Sequence, residues 1–211
     1  MPNHVTNRVT FDGDPEMVKR LREAIASPLD PDKLIDFKEI IPMPTCLENL
    51  HGDGRNHLYR IPPGFDGVPS WEVPEESIIP VNALERATIR LRTGGYQFWY
   101  EWCVDNWGTK WNAYDQRIDD LGRLVFSTAW STPVPVFEEL SRQWPEVMIQ
   151  VEFADEDFGV NCGAYMLEAG EVMNEYLPTS CSTEAEDWAA DVLGYDPREE
   201  DDEEEVYACP V

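Results

Sequence analysis

Twice along this chain a stretch of period-two hydrophobicity gives way to a helical stretch, and that switch limits the fold more than any other feature. Residues 4–11 alternate, with Val5, Asn7, Val9 and Phe11 against Thr6, Arg8 and Thr10; period two with β-formers predicts a strand. Asp12-Gly13 turns the chain. Asp14, Pro15 and Glu16 then make a helix start: an acceptor for free amides, a preset φ and a carboxylate at the positive dipole end. Val18, Leu21 and Ile25 follow at helical spacing. A second strand is expected near Leu34–Ile41, stopped by Pro42-Met43-Pro44.

The pattern recurs downstream. Arg123–Ser131 is apolar on both faces, as strands in sheet centres are. Val136, Phe137, Leu140 and Trp144 stripe a helix behind Pro133 and Pro135, and Glu146–Phe153 alternates again. Ala169-Gly170 joins two extended runs, 163–168 and 171–177, as a hairpin. A last helix is expected over Thr183–Leu193, with Trp188, Ala189 and Val192 inward. Strand, helix, strand, stated twice, is the order of a split βαβ sheet. The expected fold is therefore α+β and ferredoxin-like, with an inserted loop and helix region, an extra C-terminal hairpin and an acidic C-terminal extension. A single domain over 1–195 is expected, with an insertion at about 45–107 and a flexible acidic tail over 196–211.

Residues 45–80 are rich in Gly and Pro turn chemistry and predict a long loop with one short helix near Glu48. A helix is expected over Val81–Leu91, capped by Asn82, with Leu84, Ala87, Thr88 and Leu91 on one side. The stretch Tyr96–Asp115 then holds four of the eight Trp. Trp99, Trp102, Trp107 and Trp111 cannot all stay in water cheaply, because full burial of an aromatic ring is worth a few kcal/mol. Phe98, Trp99, Trp102 and Cys103 share a helical face, Gly108 supplies a left-handed stop, and Lys110–Tyr114 continues extended.

Charge is the compositional outlier: 42 Asp and Glu against 16 Lys and Arg, a net of −26. Residues 146–211 hold 20 of the acids and one base, Arg198. Nucleic-acid binding requires cations at the phosphates, so this third should repel DNA, RNA and anionic lipid. No apolar run is long enough to span a bilayer, and the N-terminus lacks the pattern of a signal peptide. A cytoplasmic setting, an ordered N-terminus and reduced thiols are the expectations. The five Cys are widely spaced and form no CxxC pair.

The words MPNHVTNRV, EIIPMP, WGTKWNAYD, FSTAWSTP and FADEDFGVNCG, taken together over roughly residues 1–177, resemble the YubB-like family of conjugative plasmids and temperate phages. The resemblance implies a ferredoxin-like domain, a mobile-element origin and the cytoplasm of a bacterial host cell. It supplies no catalytic residues.

Candidate chemistry in the residues is sparse. Cys46, His51 and His57 are potential zinc ligands, but a fourth ligand for a tetrahedral site is missing nearby. Asp155-Glu156-Asp157 follows a predicted strand and could meet a cation, although three consecutive acids do not point the same way in an extended chain. Cys103 and Cys162 have no positioned base. There is no P-loop and no GxGxxG, so no cofactor is implied. Tyr100, Lys110, Trp111, Tyr114, Arg117 and Arg123 could form a stacking platform of the kind RNA-binding ferredoxin-like sheets use.

The leading functional expectation is a non-enzymatic accessory protein that binds a host protein, itself basic or nucleic-acid-binding, and counters a host defence or nucleic-acid-handling system. Its contact would be an acidic face: Glu168, Glu171 and Glu175 on the hairpin, and Glu184, Asp187 and Asp191 on the last helix, with the tail steering association. The alternative is a nucleic-acid-binding or -processing domain using Lys110, Trp111, Tyr114, Arg117 and Arg123. No binding to duplex DNA or to membrane is expected on the leading reading.

Overall fold

The computed structural model describes residues 3–48, 50–52, 58–61 and 73–198. The first strand, β1 (His4–Asp12), runs into α1 (Pro15–Ile25), whose start is the one the sequence encodes: the Asp14 carboxylate accepts the amides of Glu16 and Met17. Then come α2 (Phe37–Ile40), a 3-10 turn over Thr45–Leu47, and the short strands β2 (Leu50–Gly52), β3 (Leu58–Arg60) and β4 (Ile79–Pro80). Two helices follow, α3 (Ala83–Thr93) and α4 (Trp99–Trp107). The remainder is β5 (Tyr114–Ile118), β6 (Leu124–Ala129), α5 (Val134–Gln143), β7 (Met148–Asp155), β8 (Cys162–Glu168), β9 (Glu171–Tyr176) and α6 (Thr183–Leu193).

The main sheet has the order β5-β6-β1-β7-β8-β9, with every neighbouring pair antiparallel. β1 and β5 both oppose β6, so they run parallel and are joined through α1. β6 and β7 both oppose β1 and are joined through α5. These are the two interlocked split βαβ units of a ferredoxin-like sheet, and β8 and β9 extend it as the expected hairpin. β2, β3 and β4 form a separate small sheet.

One expected strand is corrected. Residues 34–41 are not a strand, and the second strand of the first βαβ unit is β5, far downstream. Ile35, Asp36 and Phe37 are all buried, which breaks the period-two logic. The Gln116 side-chain amide takes the place of a strand neighbour, accepting from Ile35 N at 2.8 Å and donating to Ile35 O at 2.9 Å. Asp36 then caps α2 by accepting from Lys38 N at 3.0 Å. Phe37 enters the core edge-on to Trp107 and Phe126.

The core lies between the sheet and its helices. Val9 and Phe11 of β1 meet Leu21 and Ile25 of α1, Val136, Phe137 and Leu140 of α5, and Trp102, Cys103 and Trp107 of α4. Trp107 Nε1 donates to Ile41 O at 2.9 Å, which satisfies the indole N–H on burial. Gly108 ends α4 at φ +75°, and a Cβ there would stand 2.7 Å from Pro135 Cδ. The side of α3 carrying Leu84 and Leu91 faces outward (79% and 85% exposed), while Ile89 and Thr93 are buried. Hydrophobic spacing marks a face on an isolated helix, but the neighbouring layer decides which face it covers.

Candidate functional site

The sheet has one face toward α1 and α5 and one face away from them. Alternation along β1 sends Arg8 to the second face, and α6 lies across β7, β8 and β1 there. Ala185, Ala189 and Val192 of α6 pack on Ala154 and Cys162 as a second small core. Trp188 Nε1 donates to Gly163 O at 3.2 Å, and the Tyr176 and Trp188 rings are 4.8 Å apart. The face that RNA-binding ferredoxin-like sheets leave open for bases is thus partly roofed.

Two of its arginines are engaged. Arg8, nearly buried, donates from Nε to Glu152 Oε2 at 2.6 Å, from Nη1 to the Asp191 carbonyl at 3.1 Å, and from Nη2 to the Asp191 carboxylate. Burial alone would lower the Arg8 pKa; the two carboxylates outweigh that and raise it. Arg123 pairs with Asp119 at 2.7 Å and lies 3.7 Å from Glu152. Arg117 is exposed and makes no ion pair among the described residues.

The six proposed acidic contacts are all exposed, but they do not share one face. Tyr176 reaches α6, its phenol donating to Glu184 Oε1 at 2.7 Å, which pushes that phenol up to about 12. Its neighbour Glu175 pairs in register with Tyr165 and therefore points to the α5 side. Glu168 and Glu171 oppose each other at the hairpin tip. On α6, Asp187 is met by Arg198 Nη2 at 2.9 Å and Asp191 by Arg8. Arg198 also pairs with Glu186 and Asp196, so the start of the expected tail is clasped to α6. Residues 199–211 of that tail lie outside the described residues.

A second cluster forms where β1, β5 and β6 end. Lys110 Nζ stands 5.3 Å from the Trp111 ring centre and 4.9 Å from that of Trp130. The Trp111 and Tyr114 rings meet edge-on at 6.1 Å. Tyr114 Oη donates to Thr128 O at 3.1 Å and lies 2.6 Å from His4 Nδ1. Burial first, then Asp115 and Glu156, pushes the Tyr114 phenol up to about 12. Thr109 Oγ1 donates to Ala129 O at 2.7 Å and accepts from Ala129 N at 3.1 Å, tying the end of α4 to the end of β6. Trp130 leaves the strand at φ +73° and is 47% exposed. A bulky residue in the left-handed region is costly and is held there by its surroundings. Trp130 N donates to Asn3 O at 2.9 Å, and its carbonyl accepts from Asn161 Nδ2 at 3.0 Å.

This cluster brings together pieces of four of the five sequence words that carried the resemblance. Sequence reasoning selected Lys110, Trp111 and Tyr114 but missed Trp130, His4 and Asn161. Trp130 read as one more residue of an alternating strand, and the only signal against that was the Ser-Thr-Pro behind it.

The remaining candidates separate. Asp155 is buried: Oδ1 accepts from Asn3 Nδ2 at 3.2 Å and Asp157 N at 3.0 Å, and Oδ2 from Asn161 Nδ2 at 2.9 Å. It clamps the loop after β7, while Glu156 and Asp157 are exposed. His51 stacks on Tyr59 at 5.8 Å, and burial lowers its pKa; His57 lies outside the described residues. Among the described residues no group of three or more His, Cys, Asp or Glu could hold a metal ion. Burial pushes the Cys103 thiol up to about 12 and also raises Cys162, so neither is an activated nucleophile. Among the described residues no helix is long and apolar enough to cross a membrane.

No curated protein and no solved structure matches this chain. Residues 110–210 match the family model described as the ferredoxin-like domain in Api92-like protein. That span includes the acidic end and leaves out β1, which completes the sheet between β6 and β7. The chain therefore carries a ferredoxin-like domain that matches the Api92-like family over residues 110–210.

Proposed function

We propose that this chain is a non-enzymatic accessory protein of a mobile genetic element that binds a basic host protein, one belonging to a defence or nucleic-acid-handling system. The observation that carries the reading is the fate of charge on the far face of the sheet and around the β8–β9 hairpin. Arg8 is spent on Glu152 and Asp191 beneath α6, and Arg123 on Asp119 in the β5–β6 turn, which leaves few cations for phosphates. Glu168, Glu171, Glu175 and Glu184 carry charge that no described cation pairs. These four are the contacts we assign, with residues 196–211 steering association at long range. Asp187 and Asp191 contribute mainly to holding α6 and residues 196–198 in place.

The test against the nucleic-acid alternative is fluorescence anisotropy of labelled duplex DNA and single-stranded RNA at physiological salt. We expect binding weaker than about 10⁻⁴ M, the weak end of nonspecific association. Salt-sensitive binding tighter than roughly 10⁻⁶ M would transfer the function to Lys110, Trp111, Tyr114 and Arg117.

A further inference from the structure

An open groove of about 650 Å³ runs between the outer side of α4 and Trp130. Tyr96, Tyr100 and Trp130 give it aromatic walls, Val104 an apolar floor, and Glu101 and Asp105 two exposed carboxylates. Tyr100 and Val104 are one helical turn apart, as are Glu101 and Asp105, so aromatic and acidic edges run side by side along α4. Tyr96 Oη donates to Asp105 Oδ2 at 2.9 Å, fixing one wall. The opposite wall is fixed by the reciprocal Thr109–Ala129 bonds and by the Ser131 Oγ donation to Gly108 O at 2.5 Å. Among the described residues no Lys or Arg lines the groove. Lys110 nevertheless sits 4.9 Å from the Trp130 ring centre, so the indole already holds one cation of its own chain.

We infer that this groove receives an arginine side chain of the partner protein. A flat guanidinium stacks on an indole or phenol face and donates to carboxylates from its edge, which is the combination the groove presents. The inference rests on the reading of a basic protein partner and names where that partner is gripped. The acidic hairpin and tail attract, whereas the aromatic groove gives geometry and residence time.

The test is a titration of the full chain with the peptide acetyl-Gly-Arg-Gly-Arg-Gly-amide at physiological salt, followed by indole and aromatic NMR signals. The expected result is a saturable shift at Trp130, Tyr96 and Tyr100. Trp130→Gly should weaken the peptide roughly tenfold, between the exposed and the desolvated values for one cation–π contact. Glycine suits the φ of +73°, so the ring is removed without a backbone cost. Glu101→Gln with Asp105→Asn should weaken binding similarly while leaving the melting temperature in place. Shifts confined to the hairpin and α6 carboxylates, with Trp130→Gly binding at full strength, would overturn the groove while leaving a basic partner standing. Absence of any saturable shift would also overturn the groove; the wider reading is judged separately, by capture of the partner itself.

Discussion

Replacing Asp155 removes a clamp on three segments at once. Its carboxylate accepts from Asn3 before β1, and from Asp157 N and Asn161 in the loop between β7 and β8. Asn161 in turn donates to Trp130 O. Hydrogen bonds to a charged acceptor contribute about 1.5–3 kcal/mol each when fully buried. Asn3 and Asn161 are exposed residues and can turn to water, so the sum for Asp155→Ala discounts to about 3 kcal/mol. For a chain of this size that lowers the melting temperature by roughly 6–12 °C. Asp155→Asn keeps the shape. Its amide oxygen can serve Asn3 and Asp157, but its NH₂ faces the Asn161 NH₂, which cannot flip without releasing Trp130 O. One bond is lost, about 1–1.5 kcal/mol. Thermal unfolding followed by circular dichroism should therefore rank wild type above Asn above Ala. An Asp155→Ala variant melting within a degree of wild type refutes the clamp. Stabilisation of wild type by added calcium that vanishes in Asp155→Asn would instead make Asp155 a cation ligand.

Three further outcomes follow from the core and its charges. Trp102→Ala should destabilise by roughly 3–5 kcal/mol in denaturant unfolding, because Trp102 is buried edge-on against Trp107 at 5.5 Å; an unchanged midpoint would contradict its burial. Burial alone would raise the Asp36 pKa, but bonds from Lys33, Asn112 and the Lys38 amide outweigh it and hold the carboxyl below its ordinary 3.8. A folded value below the unfolded one stabilises fully above the unfolded pKa and loses that stability as pH falls through the folded one; Asp36→Asn should flatten the acid limb of stability against pH, and an identical limb would refute the pairing. Cys181 is exposed, whereas Cys103 is buried with its thiol pushed up to about 12; iodoacetamide at pH 8 should alkylate Cys181 in the native chain and Cys103 only after unfolding, as read by peptide mass spectrometry.

Local signals in the sequence carried most of the elements. Asp14, Asn82 and Ser182 each cap the helix that follows them, and Gly108 stops α4 where a left-handed residue was needed. The alternation of 4–11 and 146–153 survives as β1 and β7 because one face of each lies in the main core and the other is more polar and only partly covered by α6. What failed was non-local. Ile35 and Phe37 alternate like a strand, yet their backbone partners are the side chains of Gln116 and Asn112, some 80 positions away. β5 is polar along most of its length, YDQRI, because it is an edge strand, so nothing in its pattern announced it. The acidic residues were legible as a list, but their partners were not: the pairing of Asp191 with Arg8 joins positions 183 apart. Trp130 was hidden by a single backbone angle that turns it out of its strand.

The account turns most directly on capture of the partner. The full chain, immobilised and exposed to nuclease-treated bacterial lysate, should retain a basic protein that is eluted by raised salt. Neutralising Glu168, Glu171, Glu175 and Glu184 to Gln should abolish that capture with no loss of fold, whereas removing residues 196–211 should slow association and leave dissociation nearly unchanged. Retention found only when the nuclease is left out, or indifferent to all four glutamates, would contradict it.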